Sequence, residues 1–269
     1  MKTLNEDKAA LTLSGIKFSY AGVDEGCAAP PLNLQASFHT GEVVGIVGPN
    51  GSGKSTALKV ASGILKPYEG RVLLGGKDLA MLSSKERARL LSYMPQSPVA
   101  PTATVENFVL CGRYAHTTLF HRANARDYEV VKKSISLAGI TDLKNKSLSA
   151  LSGGQRQRAH IALMLAQEAS VMLFDEPLSA LDISACHEML ELIYALAHTQ
   201  EKAVVIVIHD LDLALRYCDK ILVLDKGEVC FEGSPKEVIA SEILREVFAI
   251  KTHPVVSQRK VGYAFFPVN

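Results

Sequence analysis

The chain has 269 residues, of which 48% are hydrophobic and 21% charged, enough apolar material to bury a substantial core and exclude an intrinsically disordered protein. That length corresponds to one large or two small domains. Lys and Arg number 29 against 28 Asp and Glu, a net charge of +1, so no global basic field holds nucleic acid or an anionic membrane and any phosphate binding must be local. Mean hydropathy is +0.13, yet no uncharged apolar run approaches the roughly 18–20 residues that span a bilayer. Asn5, Glu6, Asp7 and Lys8 stand where a signal peptide needs an apolar stretch, which predicts a chain that stays in the cytosol. Cys27, Cys111, Cys186, Cys218 and Cys230 are odd in number and scattered, with no C-x-x-C pair; reduced, mostly packed thiols are expected.

In chain order, Leu11–Tyr20 and Leu32–Phe38 alternate apolar and polar residues and read as half-exposed antiparallel strands. Val43–Val47 is a short buried-type strand that runs into a glycine-rich turn and a helix from about Ser55. Arg71–Gly75 reads as another strand. From about Thr104 to Asn145 the pattern is helical and predicts a helical subdomain inserted into an α/β core. Strand-type runs return at Val171–Phe174, Ala203–Ile208 and Ile221–Leu224, separated by helices beginning near Asp182 and Leu211. Continuous apolar strands alternating with helices indicate a mostly parallel sheet covered on both faces. Asp225–Glu228 is a hairpin-turn signal, and the tail after His253 is weakly β-like.

Two stretches carry phosphate chemistry. Gly48-Pro49-Asn50-Gly51-Ser52-Gly53-Lys54-Ser55 satisfies G-x-x-x-x-G-K-[ST] between a predicted strand and a predicted helix. Its glycines let the backbone aim several N–H groups at one phosphate, and the helix N-terminus adds a partial positive charge. Lys54 supplies a full charge to the β- and γ-phosphates, Ser55 a hydroxyl to Mg²⁺, and Thr56 reaches the α-phosphate. A serine-capped glycine turn is the plain alternative, and the lysine in place argues against it. In Val171–Glu176, four apolar residues precede two acids. A buried strand ending in Asp175 brings a carboxylate to the metal at the carboxyl edge of the sheet, and Glu176 is placed to accept a proton from an attacking water. Alone, the pair reads equally well as helix-start acids.

Leu151-Ser152-Gly153-Gly154-Gln155, followed by Arg156-Gln-Arg158, discriminates most. Ser152 is an N-cap and the two glycines expose N–H groups at a helix start, a second anion nest. With the phosphate loop in this order, the chain resembles the nucleotide-binding subunit of ATP-binding cassette (ABC) transporters, over about Leu11–Phe248. The resemblance implies a P-loop NTPase α/β fold: a mostly parallel core sheet, an antiparallel β subdomain and an inserted helical subdomain. It implies one nucleotide-binding domain over 1–249, with the helical insert at about 97–165, and a tail over 250–269. It further implies that Leu151–Gln155 act on the γ-phosphate held by a second copy, so that a monomer has only two half-sites.

Other positions match the family pattern singly. Gln96 resembles the glutamine that senses Mg²⁺ and the attacking water, although by itself it is an ordinary loop amide. Ser179-Ala-Leu-Asp182 looks like the loop coupling the two sites. His209, after a buried strand, resembles the γ-phosphate contact. Tyr20 resembles the aromatic that stacks on adenine, but shares strand parity with Ile16 and Phe18, a pattern equally met by core packing. Departures in these motifs are minor, so an active ATPase using ATP and Mg²⁺ is expected.

Gln96–Asn107, Gly112-Arg-Tyr-Ala-His116 and Arg156–Arg158 look like the subclass energising bacterial uptake of iron chelates, haem or vitamin B12. That likeness implies transmembrane permease subunits docking on about Ser97–Leu119, an extracytoplasmic substrate-binding protein as indirect partner, and a peripheral place on the cytoplasmic face of the inner membrane. His116 and His121 lie five apart with no third ligand near, and are expected to be solvated or interface side chains rather than a metal site. Lys85-Glu-Arg-Ala-Arg89 is expected to be a solvated helix face. A soluble cassette ATPase working on nucleic acid or ribosomes is the rival reading; a single cassette, no long heptad insertion between Lys54 and Ser152 and no basic surplus speak against it. A GTPase or small-molecule kinase leaves Leu151–Gln155 unexplained, and no N-K-x-D guanine-reading motif occurs.

Overall fold

The computed structural model describes residues 9–20, 31–97, 101–117, 123–179, 181–257 and 260–268. In chain order the strands and helices are β1 Leu11–Phe18, β2 Leu32–Phe38, β3 Val43–Val47, α1 Lys54–Ala61, β4 Glu69–Leu74, β5 Lys77–Asp78, α2 Ser84–Leu90 and β6 Leu91–Met94. The helical stretch holds α3 Val105–Leu110, α4 Ala125–Leu137 and α5 Gly153–Ala166. There follow β7 Val171–Asp175, α6 Ile183–Gln200, β8 Ala203–Val207, α7 Leu211–Tyr217, β9 Lys220–Asp225, β10 Glu228–Gly233, α8 Pro235–Ala240, α9 Ile243–Phe248, β11 Ile250–Ser257 and β12 Lys260–Pro267.

Ten strands form one sheet in the order β5-β4-β1-β2-β10-β9-β3-β8-β7-β6. Its heart, β9-β3-β8-β7-β6, is parallel. The half β2-β1-β4-β5 is antiparallel. The two halves meet through β10, which folds back on β9 and touches β2 at Glu228 and Asn33.

Strand alternation explains why the parallel strands read as unbroken apolar runs. In β3, Val44 and Ile46 enter the core over α1, while Val43 and Val47 enter the core under α6 and α7. β8 divides likewise, Val205 and Val207 to one side and Val204 and Ile206 to the other. Both faces are covered, so no position needs a polar residue. A separate core, including Val105, Val109, Val131, Ile135, Leu148 and Ala162, holds α3, α4 and α5 together.

Several expectations are corrected. β6 was not anticipated: four residues directly after a helix carry too short a pattern, and pairing with β7 creates the strand. The tail, by contrast, is β-structured as expected: it forms the antiparallel pair β11–β12, and Ile250, Tyr263 and Phe265 pack against the core under α6 and α7. Of the four described cysteines, Cys218 is buried and Cys186 half-buried, but Cys111 and Cys230 are exposed, so the thiols are not mostly packed; Cys27 lies outside the described residues. Lys85–Arg89 is not merely a solvated face. Lys85 Nζ donates to Thr117 O (2.8 Å), Arg87 Nη1 to Gly63 O (3.1 Å) and Arg89 Nε to Ala115 O (2.8 Å), because long basic side chains reach past their own helix to loop carbonyls. His116 is likewise engaged, Nε2 lying 2.8 Å from Gln167 O; His121 lies outside the described residues. Among the described residues no helix is long and apolar enough to cross a membrane.

Candidate active site

β3 delivers the chain to the phosphate loop at the centre of the parallel sheet. Gly48 must be glycine, because a Cβ there would collide with the Leu224 carbonyl of β9, and Gly53 adopts φ +100° with Leu32 Cδ2 only 2.6 Å from where a Cβ would stand. Gly53 is also the N-cap of α1, so no side chain caps this helix and its first turn contains no acid. Its N–H groups therefore remain free for an external anion. Ser52 Oγ is buried in the loop without a hydrogen-bond partner, an orphaned donor of the kind a phosphate oxygen would satisfy. Pro49 is half-buried, and Asn50 and Gly51 form the exposed tip.

Lys54 is 5% exposed and folds back over the loop, Nζ donating to Gly48 O (2.9 Å) and Pro49 O (2.8 Å). Burial holds its pKa below 10.5, and the carboxylates of Glu176 and Asp175 act against that shift. Ser55 Oγ donates to Asp175 Oδ1 at 2.7 Å, and Tyr93 Oη to Asp175 Oδ2 at 3.1 Å. Asp175 is 1% exposed at the end of β7, so both oxygens of a buried carboxylate are satisfied by neutral donors. Tyr93 has its phenol pushed well above 10.0 by burial, reinforced by Asp175, which keeps it a donor. A serine hydroxyl and an aspartate oxygen side by side are hard oxygen ligands and fit Mg²⁺.

Beside Asp175, Glu176 takes up φ +52°, an uncommon conformation for a residue with a Cβ, and turns its carboxylate along the sheet edge. Its Oε2 accepts from Gln96 Nε2 at 2.6 Å, and its Oε1 lies 2.7 Å from His209 Nε2. Three residues from three strand ends thus meet at one carboxylate. β6 brings Gln96, β7 brings Glu176, and β8 brings His209, with Asp210 capping α7 immediately after it.

Tyr20 lies beyond the end of β1 and is 38% exposed, so simple core packing does not hold it. Its ring stands edge-on to Phe18 (centroids 5.0 Å apart), and its hydroxyl lies 3.4 Å from Thr56 Oγ1, beside the start of α1.

Leu151–Gln155 are not part of this cluster. Leu151 is buried in the α3–α5 core, and Ser152 caps α5 from an exposed position. Ser152 Oγ accepts from Gln155 N–H (3.3 Å) while Gln155 Oε1 accepts from Ser152 N–H (3.2 Å), leaving the hydroxyl proton of Ser152 and the N–H groups of Gly153 and Gly154 for a ligand. Gly154 packs near Leu181, where a Cβ would meet Leu181 Cδ2 at 3.0 Å. Ser179 is exposed, and Asp182 caps α6 by accepting from Ala185 N–H at 2.8 Å; Ala180 lies outside the described residues.

Residues 32–179 match the family model described as ABC transporter. The chain belongs to that family. It is 40% identical over 220 residues to the ferric enterobactin transport ATP-binding protein FepC of Escherichia coli (strain K12), 81% of each chain being covered. Its fold is similar to that of an ABC transporter of proposed metal-chelate type solved in an inward-facing conformation, with TM-score 0.83 at 27% identity over 97% of this chain and 98% of that one. A dimeric ATP-binding cassette in a post-hydrolysis state with ADP and Pi is also similar, with TM-score 0.71 at 26% identity over 84% and 98%.

Against this cassette, sequence reasoning overlooked Tyr93. A tyrosine within a four-residue strand carries no signal until β6 pairs with β7 and sets its hydroxyl beside Asp175.

Proposed function

We propose that this cassette is the ATP-hydrolysing subunit of an importer that takes up a metal chelate of the iron-siderophore, haem or vitamin B12 class through a separate membrane permease. One observation carries the hydrolytic part: Lys54, Ser55, Asp175, Glu176, Gln96 and His209 converge on one sheet edge, while the nest of Ser152, Gly153 and Gly154 stands apart at the tip of α5 with its donors unspent. The likeness to a ferric enterobactin transport protein and to a metal-chelate transporter supports the cargo class.

Two copies close head to tail. Lys54 and the α1 N-terminus of one chain hold the phosphates of ATP, and Ser152, Gly153 and Gly154 of the other close over the γ-phosphate. Ser55 and Asp175 would hold Mg²⁺, which supplies neutralisation of phosphate charge when bound. Glu176 accepts the proton of the attacking water, Gln96 orients that water, and His209 contacts the γ-phosphate. Tyr20 offers its exposed ring to adenine, and Ser179 and Asp182 border the seam between the chains. Hydrolysis removes the shared anion, the seam opens, and the movement passes to the permease at the face about Ser97–Leu119, of which 98–100 and 118–119 lie outside the described residues. An extracytoplasmic binding protein delivers the chelate, and the chain sits peripherally at the inner face of the membrane.

Mixing two inactive variants tests the arrangement. Lys54→Ala and Gly153→Glu each disable every site in their own homodimers, but a mixed dimer contains one intact site. An equimolar mixture should recover about a quarter of the wild-type sites. No recovery would refute the shared site. Co-expression with the neighbouring permease, followed by uptake assays of ferric siderophore, haem and cobalamin, tests the cargo; co-purification with ribosomes instead would overturn it.

A further inference from the structure

The stretch Gly112–His116 has no role in the nucleotide chemistry, yet it is fastened to one end of α5. It forms a tight 3-10 turn, and a Cβ on Gly112 would stand 2.5 Å from Leu163 O, so the turn lies directly on the helix backbone. Arg113 is 3% exposed. Its Nη1 donates to Ala166 O (2.6 Å) and Glu168 Oε2 (2.7 Å), and its Nε donates to Asp127 Oδ1 (3.0 Å) in the first turn of α4. His116 Nε2 lies 2.8 Å from Gln167 O. A planar fork of donors meets three acceptors at once, two at the C-terminal end of α5 and one at the start of α4, which a lysine ammonium on a flexible stem does not reproduce.

The same end of α5 is pinned to the end of α2 and the start of β6. Gln167 Nε2 donates to Ala88 O (2.5 Å) and Leu91 O (2.8 Å), and Ser170 Oγ donates to Leu90 O (3.2 Å). Arg89 and Lys85 hold the carbonyls of Ala115 and Thr117 from α2. Leu91 opens β6, the strand that leads to Gln96. At the opposite end of α5, Ser152 is exposed, and its hydrogen-bond partners among the described residues lie within its own helix: the capping box with Gln155 and the bond from Arg156 N–H to its carbonyl (2.9 Å). Fourteen residues make a lever about 20 Å long, so a tilt of about 10° at the joint moves Ser152 by about 3–4 Å, well beyond the tolerance of a hydrogen bond.

We propose that Arg113 is a positioning residue for the reaction: with Gln167 it forms the joint that fixes the angle at which α5 presents Ser152 to the nucleotide held by a second copy. This rests on the head-to-tail reading above. The joint also places the permease-facing turn, the signature helix and the strand carrying Gln96 on one fastening, so displacement of the turn reaches both halves of the site.

The test uses the Glu176→Gln chain, whose ATP-bound dimer is expected to accumulate because hydrolysis is blocked. Arg113→Lys keeps the buried charge but not the fork, and Gln167→Ala removes the half-buried amide that ties α5 to β6. Each should bind ATP as a monomer within about twofold of the parent, yet need at least about tenfold more ATP or protein to dimerise in analytical ultracentrifugation. Parental ATP affinity in the same sample shows the chain to be folded. Undiminished dimerisation of both variants would overturn the proposal. Gly153→Glu in the same background separates the two claims: if it too dimerises normally, the head-to-tail reading fails; if it alone fails to dimerise, only the joint is refuted.

Discussion

Replacing Lys54 with alanine isolates the phosphate-binding charge. The ammonium spends two protons on Gly48 O and Pro49 O, at 2.9 and 2.8 Å, so nucleotide binding exchanges bonds to neutral carbonyls for bonds to anionic phosphate oxygens. A hydrogen bond with an ionised donor or acceptor contributes about 1.5–3 kcal/mol, the ammonium–carbonyl bonds standing near the bottom of that range and ammonium–phosphate bonds near the top. Two such exchanges amount to about 2–3 kcal/mol, or roughly thirty- to a hundred-and-fiftyfold in ATP affinity. Folding stability should change by only about 1 kcal/mol, a shift of about 2–4 °C in melting temperature, because the lost carbonyl bonds are offset by relief from burying a charge. Calorimetric titration of Mg²⁺-ATP into the variant measures the first quantity and scanning calorimetry the second. Burial holds the Lys54 pKa below 10.5, and the charged form is the one that binds phosphate. Raising the pH therefore discharges Lys54 earlier than an ordinary lysine, and wild-type affinity falls on the alkaline side before 10.5 is reached. Lys54→Ala lacks that limb. ATP affinity equal to wild type in a folded Lys54→Ala chain would refute the assignment.

Glu176→Gln should retain ATP binding, lose about 10²–10⁴-fold in single-turnover phosphate release, and accumulate an ATP-dependent dimer on size exclusion; brisk turnover would remove Glu176 as the base. Tyr93→Phe deletes only the 3.1 Å donor to Asp175 Oδ2, so the Mg²⁺ concentration giving half-maximal hydrolysis should rise about two- to tenfold while metal-free nucleotide affinity stays put. Gly48→Ala drives a methyl into the rigid Leu224 carbonyl and should cost about 2–4 kcal/mol in a denaturant melt, with nucleotide binding lost alongside.

How far each feature was legible depends on the distance over which its cause acts. Gly48–Ser55, the β3 and β8 runs, and the caps at Ser152, Asp182 and Asp210 are local, because turn geometry and helix termini are set within a few residues. The clustering of Gln96, Glu176 and His209 is different. Each sits at the end of a separate strand, and their meeting follows from the order β8-β7-β6, which family likeness suggested and spacing alone did not. Arg113 was legible only as part of a motif, since an arginine in a helical stretch looks solvated until the carbonyl of Ala166 and the carboxylate of Asp127 arrive from 53 and 14 residues away. Tyr20 stood between two readings, adenine stacking by family likeness and core packing by parity with Phe18; β1 ends at Phe18, so alternation no longer governs a residue two places on, and the side chain is exposed.

The polar groups of the site are largely paired within the chain itself. Lys54 rests on two loop carbonyls, Asp175 on Ser55 and Tyr93, and Glu176 between Gln96 and His209. Glu176 in particular has each oxygen engaged once, Oε2 by Gln96 and Oε1 by His209, so a water bonding to it takes a remaining lone pair or displaces one of those partners. Binding of a phosphate chain is thus an exchange of partners, and its net free energy is the difference between two satisfied states rather than the sum of new bonds. The exceptions are the orphaned Ser52 hydroxyl, the uncapped N-terminus of α1 and the unspent donors at the start of α5. These gain without losing a partner, and two of the three lie in the loop that first meets the nucleotide. On the head-to-tail reading proposed above, the third, at Ser152, gains only when a second chain brings a phosphate to it, which makes closure of the dimer the step whose reward vanishes with the γ-phosphate and hence the step that hydrolysis can reverse.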